Sequence, residues 1–315
     1  GVEIIDEDTF FYCKNLRNVH FSSDSKLKSI KKRSFSGLNI ISITIPSNVE
    51  EIEETFCMST SKNCQFNIDP GNKNFKFLNN SLLLGKSSPD QIEYDVILYI
   101  VNYFDGISIP NYIKRIGNFP IPCKKNIKWI EFESNSNLHS IGNDAFSNTL
   151  IKTVVIPSSV EFIGNGSFAE CKNLTSFEFS INSKLKKIGS FAFFNFNIET
   201  IKIPSSVEII EKSAFFLCMH LNTVIFEEDS KLELIDDGAF KMTGINSIKI
   251  PLKVKRIGNN AFESCTYLRS IEISEDSNLE SIGSGCFKST LIDSIYFPSN
   301  LKKLDEGWCN QCALK

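Results

Sequence analysis

Long apolar runs are missing from this chain. No stretch approaches the roughly 18 apolar residues that a membrane-spanning helix needs, so membrane insertion of this segment is not expected. A dominant charge is missing too. The 34 Lys and Arg stand against 37 Asp and Glu, with both signs mixed along the chain. That mixture excludes the basic footprint of a nucleic-acid binder. Histidine is scarce: His20, His139 and His220 occupy unrelated positions, and none has a Cys or Asp partner at a useful spacing. A nucleophile–base–orienter arrangement therefore has no candidate. Phosphate loops and Gly-rich dinucleotide fingerprints are absent as well. The expectation is a non-enzymatic chain with no catalytic residue, no cofactor and no bound metal. There is also no initiator Met and no leader peptide. Gly1 opens directly on Val2-Glu3-Ile4-Ile5, and the chain stops at Cys312-Ala313-Leu314-Lys315. Both ends read as truncated mid-repeat, so they carry no information on compartment.

What the chain has in abundance is a repeat. Hydrophobic residues make up 42%, and 27 residues are Phe, enough for an extended core. An apolar-Pro pair places Pro at 110, 157, 204, 251 and 298, each step being 47. The earlier Pro46 lies 64 before Pro110, which is one step plus an insertion of 17. Each 47-residue unit holds two similar halves, as in Leu174-Thr-Ser-Phe177-Glu-Phe179 and Ile198-Glu-Thr-Ile201-Lys-Ile203. Such segments begin at 16, 40, 63, 104, 127, 151, 174, 198, 221, 245, 268 and 292. Their alternating apolar positions predict half-buried strands. One coil of 23–24 residues cannot bury its own apolar face, whereas stacked coils bury a continuous core. After each strand comes a second apolar pair, such as Leu185 and Ile188, and then a Phe at 146, 168, 193, 215, 240, 262 and 287. Ile257-Gly-Asn-Asn-Ala261-Phe262 suggests a short helical turn with Ala and Phe pointing inward.

The longer halves carry Asx-Ser pairs at Asp24-Ser25, Asn135-Ser136, Asn182-Ser183, Asp229-Ser230 and Asp276-Ser277. These read as turns made by side-chain bonds to backbone. An acidic metal site is the alternative, weakened because two of the five are Asn. Between 69 and 103, Leu82-Leu83-Leu84 and Val96-Ile97-Leu98-Tyr99-Ile100 flank a turn-rich Gly85-Lys-Ser-Ser-Pro89-Asp90. A β-hairpin or small flap interrupting the stack is expected there, as a spacer or as a contact or dimerisation element. Phe119-Pro-Ile121-Pro122-Cys123 replaces the Ala-Phe segment of one coil, where a bulge or bend is expected. Otherwise residues 1–315 read as a single array.

The columns resemble the BspA-like branch of the leucine-rich repeats. Its succession of apolar-Pro, Val, Ile, Ala-Phe, Cys and Leu appears here as Ile203-Pro204, Val207, Ile210, Ala214-Phe215, Cys218 and Leu221. The resemblance covers essentially the whole chain. Phe66-Asn-Ile68-Asp69-Pro70 followed by Asn79-Asn80-Ser81-Leu82-Leu83 also resembles a device of that family. The Ile-, Asn- and Lys-rich wording is similar to the members expanded in trichomonad parasites, and related arrays occur on mucosal bacteria. The resemblance implies a curved, right-handed leucine-rich repeat solenoid of about twelve coils. A parallel β-sheet lines its concave face, and short helical turns or loops form its convex face. It implies a cell-surface or secreted protein tied to adhesion and host contact.

Ten cysteines invite a disulfide or zinc reading. Their register argues otherwise. Cys13, Cys171, Cys218, Cys265 and Cys312 all fall three residues after the Phe column, with Thr149, Phe196, Thr243 or Thr290 in the intervening coils. Two coils lie roughly 10 Å apart, beyond the reach of a disulfide. The ladder cysteines therefore read as buried small hydrophobes. Cys309-Asn-Gln-Cys312 looks like a redox or zinc half-site. Yet Cys312 is the ladder position and Cys309 occupies the Phe column, which reads as coincidence of register. A bridge between Cys286 and Cys309, one coil apart, is the alternative.

Two outward columns could meet a partner, a protein or a glycan-bearing surface. One is bland: Thr153, Ser176, Thr200, Thr223, Ser247, Ser270 and Ser294, interrupted by Trp129. It suggests a cross-strand hydroxyl ladder. The other reads Glu131, Val155, Glu178, Lys202, Ile225, Lys249, Glu272 and Tyr296. Glu178–Lys202 and Lys249–Glu272 are expected ion pairs across strands. Trp129, Ile225 and Tyr296 are the expected anchors, since large aromatics dominate binding energy. An intracellular scaffold using the same face is the alternative reading. Sequons at Asn79, Asn165 and Asn173 are possible glycosylation sites.

Overall fold

The computed structural model describes residues 1–57, 65–79, 81–88, 90–100, 105–119, 121 and 127–313. The segment starts at 63 and 104, and residues 120 and 122–123 of the expected bulge, lie outside them. The fold is a β-solenoid of about twelve turns. Two compact units divide the chain: Gly1–Gly106 with Tyr112–Ile127, and Ile107–Asn111 with Lys128–Lys315.

In the second unit each coil from residue 127 to residue 290 contributes one long and one short strand, and the coil after it a short strand alone. The short strands run Ser140–Ile141, Phe162–Ile163, Lys187–Ile188, Ile209–Ile210, Leu234–Ile235, Arg256–Ile257, Ser281–Ile282 and Lys303–Leu304. They form one unbroken parallel ladder. Their inward residues Ile163, Ile188, Ile210, Ile235, Ile257 and Ile282 stack as a buried column. The long strands pair only two by two. Gly106–Ile109 joins Trp129–Phe132, and Thr153–Ile156 joins Ser176–Phe179. Thr200–Ile203 joins Thr223–Phe226, and Ser247–Lys249 joins Ser270–Glu272. Residues 291–298 form no strand, so the last expected member of that ladder is missing.

The third side of each coil is a run of hydrogen-bonded turns, and no helix occurs among the described residues. Two left-handed residues close each turn run, for example Gly238 (φ 63) with Met242 (φ 57) and Asn260 (φ 55) with Ser264 (φ 59). Such residues stop a helix from propagating. The turns still interlock between coils, because each Phe N–H donates to the next coil: Phe215 to Ala239 O and Phe240 to Ala261 O, both at 2.8 Å. Inside, Phe146, Phe168, Phe193, Phe215, Phe240, Phe262 and Phe287 are fully buried. Their rings stack from coil to coil, with centroids 5.0–5.8 Å apart. Where a glycine follows the short strand, at Gly164, Gly189, Gly258 and Gly283, backbone proximity requires it; Glu211, Asp236 and Asp305 take the place after other strands. A Cβ on Gly189 would stand 2.6 Å from the Gly164 carbonyl carbon.

The Asx-Ser pairs form turns. The hydroxyls of Ser25, Ser136, Ser183, Ser230 and Ser277 each accept the N–H two residues on, at 3.2–3.3 Å. Asn135, Asn182 and Asp229 before three of them are left-handed.

The first unit packs Ile4–Ile5, Ser29–Ile30 and Glu51–Ile52 into one parallel ladder, and Asn18–Val19, Ser42–Ile45 and Gln65–Ile68 into another. The insertion follows as an antiparallel meander. Lys76–Leu78 pairs with Leu82–Gly85, which pairs with Val96–Ile100. Val96–Ile100 then runs parallel to Arg115–Ile116 and so re-enters the coil pattern. Asp95 pins the loop before it. Burial pushes its carboxyl up, but the Ser87 hydroxyl and N–H and the Lys114 ammonium outweigh that and hold it below the usual carboxylate range.

Candidate partner-binding surface

The outward side chains of the long strands in the second unit are set by strand alternation, since the inward positions are consumed by the core. Trp129 is 45% exposed, Val155 53%, Ile225 46% and Tyr296 50%. Across the hydrogen-bonded pairs, Val155 faces Glu178, Lys202 faces Ile225 and Lys249 faces Glu272. Tyr296 is exposed on the segment that forms no strand.

Where neighbouring long strands do not pair, the surface opens into grooves. The first, of about 430 Å³, is lined by Glu131, Glu133, Thr153 and Val155. The second, of about 700 Å³, is lined by Glu178, Glu199, Lys202 and His220. The third, of about 500 Å³, is lined by Ile225, Glu227, Lys249 and Leu252. Six of the candidate residues thus come together two by two: Glu131 with Val155, Glu178 with Lys202, and Ile225 with Lys249. Trp129, Glu272 and Tyr296 lie outside the grooves. Leu252, 52% exposed in the third groove, was missed by column reasoning because it sits in the loop after the strand.

One of the two expected ion pairs forms. Lys249 Nζ lies 2.6 Å from Glu272 Oε1. The other does not: Glu178 and Lys202 sit on opposite sides of the second groove, and Lys202 instead reaches Glu227 at 3.0 Å, just past the end of the strand it is bonded to. Burial pushes the Glu227 carboxyl up, yet the Ser205 N–H and the Lys202 ammonium prevail and hold it below the usual range. The hydroxyl column likewise makes no cross-strand ladder. Ser176 donates to Glu178, Thr223 to Asn222, Ser247 to Asn246 and Ser294 to Asp293, all near neighbours along the chain.

The cysteine column is buried at Cys171, Cys218 and Cys265. Each Sγ–H donates to a Phe carbonyl of the preceding coil at 3.0–3.1 Å. Two intervening threonines bond the same carbonyls, Thr149 to Phe146 O and Thr243 to Phe240 O. Cys13 departs from the expectation, being exposed. Cys309 and Cys312 depart too: they are bridged to each other, and Cys286 is a buried thiol outside that bridge. Register compares coils with one another and is blind to a contact inside one turn, where the Cα atoms of Cys309 and Cys312 are 5.5 Å apart.

Asn79, Asn165 and Asn173 are exposed. Asn165 is also structural, since its Oδ1 accepts the Ser190 N–H at 2.9 Å. Among the described residues, no three His, Cys, Asp or Glu side chains are grouped to hold a metal ion. No helix among them is long and apolar enough to cross a membrane.

Ladders of this build, with buried Phe, Ile and Cys columns, define a leucine-rich repeat solenoid. Residues 1–86, 98–219 and 186–315 match the family described as "BspA type Leucine rich repeat region (6 copies)". The chain belongs to that BspA-type leucine-rich repeat family. Among solved structures, it is similar to a leucine-rich repeat protein from Eubacterium ventriosum, with 17% identity and a TM-score of 0.50, covering 92% of this chain and 64% of that one. A leucine-rich repeat protein from Bacteroides ovatus is similar at 21% identity and a TM-score of 0.50, covering 91% and 68%. The chain therefore spans a little under two thirds of the first of these proteins. These likenesses concern the fold. No curated protein sequence matches the chain.

Proposed function

We propose that this array is a non-enzymatic binding module, an adhesin-like surface or secreted protein that holds a protein or glycan-bearing partner on its long-strand face. The observation that carries the reading is the placement of exposed apolar side chains on positions where the core makes no demand. Val155 and Ile225 stand at grooves beside charged neighbours, and Trp129 and Tyr296 stand beyond them. A mixed apolar and charged surface of this kind suits a partner of matching pattern, with the aromatics supplying most of the energy. The finer kinship to trichomonad-type members, with a role in host contact, belongs to the same proposal. So do sugars on Asn79, Asn165 and Asn173.

The test is a pull-down from a cell-surface extract with the array and with its Trp129→Ala and Tyr296→Ala variants. Loss of the captured bands in folded variants is the expected result. Equal capture by all three removes both residues as anchors.

The buried thiols of Cys218, Cys265 and Cys286 favour a second reading, an intracellular scaffold using the same face. The flanking gene sequence decides between them: a leader or a membrane anchor supports the surface protein.

A further inference from the structure

The turn side of each coil in the second unit carries two left-handed residues, one on either side of the buried Phe. Most coils place there the small or polar residues that this backbone favours, such as Asp144 and Asn148, Asn260 and Ser264, and Gly285 and Ser289. Three coils in the middle of the stack do not. Phe191 (φ 55), Leu217 (φ 63) and Met242 (φ 57) hold the same left-handed conformation with bulky apolar side chains, which crowd the backbone there. The core does not ask for them, since Phe193, Phe215 and Phe240 already fill the inward positions of those coils. They lie at the surface as one patch. Phe191 is exposed, its ring stands 6.1 Å from that of half-buried Phe194, and Phe194 stands 5.6 Å from half-buried Phe216. Exposed Met219 extends the patch beyond Leu217. The coils of Phe168 and Phe262 continue the stack on either side, so the patch is open along the whole of its turn face and not at an end.

We propose that this turn side is a self-association surface, on which a second copy of the chain docks about a two-fold axis. The pattern of the patch is what points to a second copy. A two-fold interface sets each position against its counterpart across the axis, and does so twice. Let the axis stand normal to the turn side, between the coil of Phe193 and the coil of Phe215. Phe191 then meets Leu217 of the second copy, and Leu217 meets Phe191 of that copy. Phe194 comes beside Phe216, and the polar left-handed residue Ser213 meets its polar counterpart Asn195. Apolar falls on apolar and polar on polar. The rim matches in charge as well. Glu170 lies one coil before the central two and Lys241 one coil after them, so the axis brings Glu170 towards Lys241 of the second copy. Each already has a partner in its own chain, Glu170 with Lys172 at 2.9 Å and Lys241 with Glu263 at 2.6 Å. The new pair therefore sets orientation more than strength.

Strain and exposure have one cause in this arrangement. A bulky left-handed side chain costs the single chain stability, and burial against the second copy offsets that cost. Met219 and Met242, with their flexible thioethers, suit the edge of such a contact. The long strands form a different side of the coil and stay free in the dimer. Two copies then present two sets of grooves, which raises avidity for any partner that is displayed repeatedly on a surface. The association itself does not depend on what the grooves hold.

The experiment is sedimentation velocity on the chain across the micromolar range. The chain is made without glycosylation, because a sugar on Asn165 would stand beside this surface. A concentration-dependent equilibrium between monomer and dimer is expected. Phe191→Asn and Leu217→Asn give these coils the residue type that their neighbours use, so both variants should melt at or above the temperature of the parent chain. Each is expected to raise the dissociation constant by more than about tenfold, because each change enters the interface twice. Glu170→Lys and Lys241→Glu are each expected to weaken association, and the double variant to recover most of the loss. A parent chain that stays monomeric throughout overturns the proposal. So does a dimer that persists in both Asn variants, or a charge-reversed double variant that associates no more tightly than the singles.

Discussion

The two strand ladders of the second unit answer the same uneven chain length in opposite ways. The short-strand ladder stays continuous although its steps alternate, Ile163 pairing with Ile188 and Ile188 with Ile210. In the first unit Asn18 pairs with Ser42 across 24, whereas in the second unit the long-strand ladder pairs across one step only. It forms where the interval is 23, as from Thr153 to Ser176, Thr200 to Thr223 and Ser247 to Ser270. It breaks where the interval is 24, as from Ser176 to Thr200. The coils that break it are the ones that carry the Asx-Ser turns. The lesson is a division of labour. The short ladder, with its close-packed Gly164, Gly189, Gly258 and Gly283 and its buried Ile column, holds the register of the stack. The long ladder absorbs the mismatch, and the absorbed mismatch appears at the surface as the grooves that gather six of the nine candidate binding residues.

The Phe column should tie both ladders together, and removing one ring tests this most severely. Phe240→Ala deletes a fully buried ring stacked on both sides, at 5.1 Å from Phe215 and 5.4 Å from Phe262. A loss of about 3–5 kcal/mol is expected in urea unfolding. Amide exchange should accelerate in both ladders around coil 223–246. Acceleration confined to one ladder would show that the column does not couple them.

Gly189→Ala strikes the short ladder alone. The new Cβ meets the Gly164 backbone, which cannot rotate away. A cost of about 1–3 kcal/mol is expected from overpacking. Protection should fall at Lys187–Ile188 and its partners, and much less at Thr200–Ile203. If both fall equally, the continuity of the short ladder is not a separate property.

How far the sequence discloses this arrangement depends on what sets each feature. The coil period, the Phe column and the buried cysteines were legible, because core columns repeat and burial tolerates few residue types. The ion pair Lys249–Glu272 was legible for the same reason: its strands are one regular step apart. Glu178–Lys202 misled, because a step of 24 looks almost the same as 23 in a sequence, yet in the second unit it leaves the long strands unpaired and opens a groove. That alternation was a partial signal, since the same step of 24 pairs Asn18 with Ser42 in the first unit. The bridge Cys309–Cys312 was hidden by the column argument itself, since a left-handed residue folds the two sulfurs together inside one turn. The meander of the insertion was visible as two apolar runs, while its third strand, Lys76–Leu78, has too little pattern to announce itself.

A smaller effect probes the polar seam beside the Phe column. Thr243 donates from Oγ1 to Phe240 O at 2.9 Å and lies 3.2 Å from Cys265 Sγ. Thr243→Val keeps the shape and removes the hydroxyl. The Phe240 carbonyl retains the Cys265 thiol as donor. A cost near 1 kcal/mol is therefore expected, with no ladder preference in exchange. A cost above that of Gly189→Ala would mean that the seam, and not the close approach at Gly189, holds the register.

The smallest effect separates the two ladder steps most cleanly. Lys249 and Glu272 pair across a step of 23, with side chains 73% and 61% exposed. Glu178 and Lys202 face each other across a step of 24 and leave a groove between them. Double-mutant cycles to Ala should give a coupling of a few tenths of a kcal/mol for Lys249–Glu272, since exposed pairs retain little after solvent screening. That coupling should vanish at about 1 M salt, where the screening length shrinks to roughly 3 Å. For Glu178–Lys202 no coupling is expected at either salt. Equal coupling in both cycles would mean that the groove closes in solution, and the difference between the 23- and 24-residue steps would then lose its consequence for the surface.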